Sequence, residues 1–315
     1  MPSTKSPETV QQGGQELIQR ITNLISQAVA ADFDHQPSDH PLIFANAVKN
    51  IIGDDRGNPS QKLLDLCANY CDQFSARKND QEMLDKIVKD GFGLTVFVDD
   101  VKEAIMSGNK DAAELETAKQ LLASDKSPAI LELLAELALH DIDSLGLFTY
   151  HWLRSYQFHQ DKEMLWPYCR SMVHEIFKGH LQQQRKTKLH KPQDHLSNFL
   201  TIQNKGLWST YSAISRLWTE DSLRSASYRK SISTWLNIIK NNEVDATEDH
   251  SGEFENYIYN GGRYFIGLAE EMVDKHSANA AVQKIIVLEA LRGLAKNVPP
   301  ESFPHISRCI NFIAS

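Results

Sequence analysis

The chain has 315 residues, of which 41% are hydrophobic and 23% charged, a composition that suits a folded protein with a sizeable core. Its formal charge of −8 argues against a general nucleic-acid coat, which needs a basic surface, and leaves room for a local basic patch. No apolar run approaches the ~20 residues that cross a bilayer.

Met1 to Gln15 is polar and holds Pro2, Pro7, Gly13 and Gly14, so a disordered tail over 1–15 is expected rather than a secretory leader. Leu17, Ile21, Leu24, Ile25 and Ala28 then mark a first amphipathic helix. Pro37 and Pro41 break the chain before a second helix over Leu42 to Ile52, which Gly53 to Pro59 ends with turn residues. The next helix starts at Pro59-Ser60 and carries Leu63, Cys67, Tyr70, Cys71 and Phe74 as one stripe. Cys67 and Cys71 sit one turn apart, a spacing open to metal ligation. The stripe they share reads as core packing, because a free Cys packs as a small hydrophobe. The remaining cysteines, Cys169 and Cys309, are far apart in sequence, and such sparse usage fits a reducing, cytoplasmic location.

Phe92 to Val98 is the one strand-like run. With no second strand to satisfy its backbone, it reads as the start of a buried helix reaching Met106. Further helices are predicted at about 111–123, 128–140, 143–158 and 162–185, with Ser127-Pro128 and Asp143 as starts. After a basic, proline-containing break from Lys186 to Pro192, helices resume at about 194–218, 221–241, 252–276 and 279–297. Pro299-Pro300 stop the last of these, and a short helix over Pro304 to Ile313 closes the chain. The expected fold is all-α: about a dozen helices in antiparallel hairpins, forming an irregular array or bundle. The tail is followed by helical subdomains over 16–186 and 187–315.

Four constellations could carry chemistry. Asp99, Asp100 and Glu103 stand at i, i+1 and i+4, a spacing that can hold divalent cations against a diphosphate. This run resembles the aspartate-rich motif of class I terpene synthases, which are all-α, and Arg263-Tyr264 is similar to a pair in that family. The resemblance implies a metal on the acids, but it covers only these residues. The family's second metal motif is absent, since Asn241 to Asp249 lacks its spacing. No family is assigned, and the acids read as a solvated helical face.

The second constellation is His151, His159, Glu163, His174, Glu175 and His180. It has legitimate ligand types but none of the Glu-x-x-His, His-Glu-x-x-His or His-x-x-x-His spacings, so no metal or other cofactor is expected. The third is Gly261-Gly262, which costs about 1 kcal/mol per glycine inside a helical pattern and reads as a site of close helix packing. Around it Arg263, Tyr264 and Tyr259, together with Trp152 from the aromatic-rich segment Phe148 to Trp166, are candidate ligand-binding residues. The fourth is the basic island Lys178, Arg185, Lys186, Lys188 and Lys191, the candidate partner-binding residues. It holds no aromatic residue for base stacking, so a protein partner is expected ahead of nucleic acid.

A non-catalytic helical interaction or regulatory protein is therefore the leading expectation. The alternatives are an enzyme whose inter-helical pocket takes a metal or a phosphate-bearing anion, and an RNA- or anion-binding module using the basic island.

Overall fold

Helical periodicity in the sequence becomes sixteen α-helices in a computed structural model that describes residues 7–91, 95–182, 187–238 and 252–315. They are α1 (Pro7–Val29), α2 (Pro41–Ile52), α3 (Gln61–Cys71), α4 (Asp80–Asp90), α5 (Val98–Met106), α6 (Lys110–Ala123), α7 (Ala129–Ala138), α8 (Ile142–Phe158), α9 (Leu165–Ile176), α10 (Leu196–Thr201), α11 (Lys205–Thr219), α12 (Ser225–Ile238), α13 (Gly252–Asn260), α14 (Tyr264–Lys275), α15 (Ala278–Ala295) and α16 (Phe303–Ala314). Among the described residues there is no strand, only an isolated bridge between Ala31 and Ala76. No described helix is long and apolar enough to cross a membrane. The fold is all-α, with more helices than the dozen expected.

Side-chain caps set several helix starts. Ser60 accepts from the Leu63 N–H at 3.3 Å, Asn109 from Ala112 at 3.1 Å and Asn204 from Leu207 at 3.0 Å. Asp141, rather than the expected Asp143, caps α8 by accepting from the Ser144 N–H at 3.2 Å. The other Asp141 oxygen accepts the His180 N–H at 2.7 Å, which fixes the chain leaving α9. Asp143 instead accepts the Trp235 indole N–H at 2.7 Å and joins α8 to α12.

The centre of the molecule is a ring of four helices: α2 packs on α8, α8 on α11, α11 on α15, and α15 back on α2. Around it α1 and α3 cover α2, α7 and α9 cover α8, and α14 and α16 cover α15. Phe44, Phe148, Trp152, Trp208, Tyr211 and Phe265 are fully buried in the shared interior. The ring draws two helices from each side of the break near residue 187, so both proposed subdomains contribute to one core.

Several expected elements change on folding. α1 begins at Pro7, within the segment read as a tail. Helix α4 had no predicted counterpart. Phe97 is exposed and extended and α5 starts only at Val98, so the strand-like run does not open a buried helix; Phe92, Gly93 and Leu94 lie outside the described residues. The single helix expected over 194–218 is two, α10 and α11, because Asn204 restarts it. That over 252–276 is also two, because Gly261 and Gly262 adopt φ of +70° and +108° and end α13. A Cβ at either would meet nothing within 4 Å, so left-handed backbone, not close packing, requires these glycines.

Candidate functional site

Helix α15 carries an apolar run, Ile285 to Leu294, into which Glu289 and Arg292 intrude. Glu289 is fully buried at the centre of the four-helix ring. Arg216 of α11 meets its carboxylate with two hydrogen bonds, at 2.7 and 3.1 Å, and Asn50 of α2 donates to it at 2.8 Å. The Arg216 guanidinium lies 4.0 Å from the centre of the Tyr150 ring of α8. Gly293 makes room for it, since a Cβ there would stand 2.9 Å from the guanidinium. Burial alone would raise the Glu289 pKa; the Arg216 charge and hydrogen bonds overcome this and hold it at about 2.

His151 of α8 is also fully buried, and desolvation pushes its pKa down to about 3, so it is neutral at neutral pH. The Asn46 amide lies 2.8 Å from Nδ1. With Asn46 donating, the ring proton sits on Nε2, which faces a Glu289 oxygen at 3.9 Å. Each helix of the ring thus contributes to one buried polar network, held as a fixed charge pair and its neutral satellites.

Beside this network opens a cleft of about 680 Å³ bounded by α1, α2, the loop after α2, α8 and α15. Among the described residues, five basic side chains line it, Lys49, Arg56, Arg154, Arg292 and Lys296, against a single acid, Asp54. Asp54 accepts from Arg292 Nε at 2.6 Å, Lys296 at 2.8 Å and the Tyr257 hydroxyl at 2.8 Å, and also pairs with Arg292 Nη2. Burial would raise the Asp54 pKa, but the Arg292 and Lys296 hydrogen bonds turn the balance and lower it.

Lys49, Arg56 and Arg154 make no ion pair with a carboxylate among the described residues. Arg154 donates to Gln157 at 2.7 Å, and Lys49 stands 5.1 Å from the Phe158 ring centre. Burial, then the Arg154 charge, lower the Lys49 pKa to about 8; Glu289 opposes this from behind and Arg216 adds to it. Burial is the larger cause, and the nearby Arg154 charge adds to it. A bound anion would offset that charge.

No protein-family model matches the chain. Searches of curated proteins and of solved structures likewise found no match.

The residues singled out from sequence are dispersed. Trp152 is fully buried in the core and donates its indole N–H to the Tyr168 carbonyl at 3.0 Å. Tyr259 points to solvent, while Tyr264 packs against Phe254, Tyr257 and Phe265. Arg263 pairs with Asp55 at 2.9 Å and Glu270 at 3.5 Å and donates to the Asn58 carbonyl, tying the α13–α14 turn to the α2–α3 loop. Of the basic island, Lys178 turns inward to the Phe33 carbonyl at 2.6 Å and Glu175 at 2.7 Å. Lys188 and Lys191 are exposed; Arg185 and Lys186 lie outside the described residues.

Residues of the His/Glu constellation also part company. Glu163 pairs with Lys126 at 2.7 Å and His174 with Glu114 at 2.6 Å, because α9 starts only at Leu165 and no continuous helix aligns the two. Asp99 and Glu103 are exposed, while Asn241 to Asp249 lies outside the described residues. Among the described residues no three His, Cys, Asp or Glu side chains gather as a metal site. Cys67 and Cys71 are buried thiols in the core, and Cys169 and Cys309 are buried and free.

The cleft was missed because its cations come from residues 49, 56, 154, 292 and 296, with no local motif. The legible signal was narrower: Glu289 and Arg292 interrupting the otherwise apolar run from Ile285 to Leu294.

Proposed function

We propose that the protein is a binding or regulatory protein that holds a phosphate-bearing small molecule in the cleft between α1, α2, α8 and α15. One observation carries this reading: five basic side chains converge on one cleft of a chain whose formal charge is −8. Lys49 acts as the half-buried base of the cationic grip, with Arg154 and Arg56 at its exposed rim. Arg292 and Lys296 are pre-oriented by Asp54 and supply positive potential to the wall. The cleft volume of about 680 Å³ falls inside the ~300–1,000 Å³ of small-molecule sites. The buried Glu289–Arg216 pair beneath it fixes the relative positions of α2, α8, α11 and α15, so the grip is rigid before the ligand arrives.

A protein partner, expected from the helical architecture, remains a proposal resting on that architecture alone. A cytoplasmic location is proposed on the four free, buried cysteines.

Thermal unfolding with inorganic pyrophosphate as the probe tests the reading. A ligand that binds only the folded state stabilises it by RT ln(1 + [L]/Kd), about 2.7 kcal/mol at a hundredfold excess over Kd. The wild type should therefore gain thermal stability in a saturable way. A variant combining Lys49→Met and Arg154→Ala should gain none. Phosphates also stabilise proteins generally by exclusion from their surface, so an equal rise in both proteins would overturn the reading, as would no rise in either.

A further inference from the structure

The cleft's second property is that its walls differ. Besides the basic residues, the cleft is lined by Leu17, Ile18 and Ile21 of α1, Ile52 of α2 and Phe158 of α8. Leu17, Ile18 and Ile21 occupy i, i+1 and i+4, so they form a continuous aliphatic strip about one helical turn long. Ile21 and Ile52 are buried, but Ile18 is 52% exposed on the cleft side. Gly14, one turn earlier, also lines the cleft, and a Cβ added there would meet nothing within 4 Å. Gly14 therefore extends the aliphatic strip by one turn with no side chain of its own in the way. A simple inorganic anion would use the cations and leave this wall wet.

We infer that the ligand is an amphiphilic phosphate, its head held by Lys49, Arg56 and Arg154 and its single hydrocarbon chain lying along Leu17, Ile18 and Ile21 of α1. The inference rests on the reading of the cleft as an anion site and adds the chemical class of the ligand. Phe158 stands at the junction, its ring beside the Lys49 ammonium, so it meets the cation that grips the head and offers its remaining surface to the first carbons of the chain. Three acids lie near this head site. Asp54 is already engaged by Arg292, Lys296 and Tyr257; Glu289 is neutralised by Arg216; and Glu220, whose pKa burial raises, lies close enough to Arg154 to feel its charge.

Calorimetric titration with a homologous series tests it: inorganic phosphate, then butyl, hexyl and octyl phosphate, each below its micelle concentration. Burying a methylene group is worth about a fourfold gain in affinity. The constant should therefore rise steeply from inorganic phosphate to octyl phosphate, levelling off where the chain outgrows the strip. Ile18→Ser changes an exposed position and should leave folding and inorganic phosphate binding intact. It should weaken octyl phosphate on the order of fivefold by removing aliphatic area.

A flat series, with inorganic phosphate as good as octyl phosphate, would overturn this inference and leave the anion reading standing. Octanol binding as tightly as octyl phosphate would overturn the anion reading itself. No binding by any probe would overturn both. Retention on vesicles containing phosphatidic acid, without binding of any soluble alkyl phosphate, would overturn the inference in favour of a membrane surface.

Discussion

Lys49→Met should make the ligand-free protein more stable at neutral pH, even though it removes a residue assigned to function. Lys49 titrates at about 8 in the fold against its ordinary 10.5, and that interval corresponds to about 3 kcal/mol at ~1.4 kcal/mol per pH unit. The pKa of a base is lowered when the fold disfavours its charged form. The penalty is therefore complete below pH 8, shrinks as pH rises through 8 toward 10.5, and vanishes above that. Methionine keeps the length and removes the charge. It forfeits the Phe158 contact, worth about 0.5–1 kcal/mol as a cation–π pair, so the net gain at pH 7 should be about 1–3 kcal/mol. Urea denaturation of wild type and variant at pH 7 and pH 10.5 reads the difference directly as a shift of midpoint. A variant no more stable than wild type at pH 7 would refute the electrostatic argument, and so would a gain that persists undiminished at pH 10.5. Residues that serve binding commonly cost stability in this manner.

Other positions give equally direct outcomes. Glu289→Gln leaves Arg216 buried without its counter-charge and should cost about 3–5 kcal/mol. The wild-type carboxylate contributes above its ordinary pKa of 4.5 and loses that contribution as pH falls toward 2, so the two proteins should converge in acid denaturation. Glu175 behaves oppositely, because burial outweighs the Lys178 charge and raises its pKa to about 7. Its cost is absent below pH 4.5 and complete above pH 7. Glu175→Gln should therefore stabilise at pH 8 by about 1–3 kcal/mol and do nothing at pH 4, by urea titration at both values. Gly262→Ala, at φ +108°, should cost about 1–3 kcal/mol of thermal stability. Gly13→Ala within α1 should gain up to about 1 kcal/mol.

Much of the fold was legible because burial imposes a 3.6-residue rhythm on helices that face a core. α2, α6, α7, α8 and α15 fall close to where that rhythm places them. α4 escaped because only Leu84 and Ile87 are buried on it, too few to establish a period. The predicted helix over 162–185 overran because the chain after Ile176 turns to reach the Asp141 carboxylate, a partner with no trace in local sequence. The long helix over 252–276 divided at Gly261-Gly262 because the backbone takes positive φ there.

Site residues were harder for a different reason. Arg263 and Trp152 drew attention by their types, yet one ties a loop and the other fills the core. The cleft needs Lys49, Arg154 and Arg292 side by side, and their proximity follows from α2, α8 and α15 meeting in a ring. Sequence spacing carries no record of that meeting. Two charges inside the apolar run of α15 were its only local sign.

Anion binding in this cleft is tested most directly by the affinity of inorganic pyrophosphate for the folded protein, measured by calorimetry at low salt with the wild type and the Lys49→Met, Arg154→Ala double variant. One saturable site in the wild type is predicted, weakening as salt rises and lost in the variant. A wild type that takes up no pyrophosphate, or a variant that binds it equally well, would contradict the assignment of this cleft to an anion.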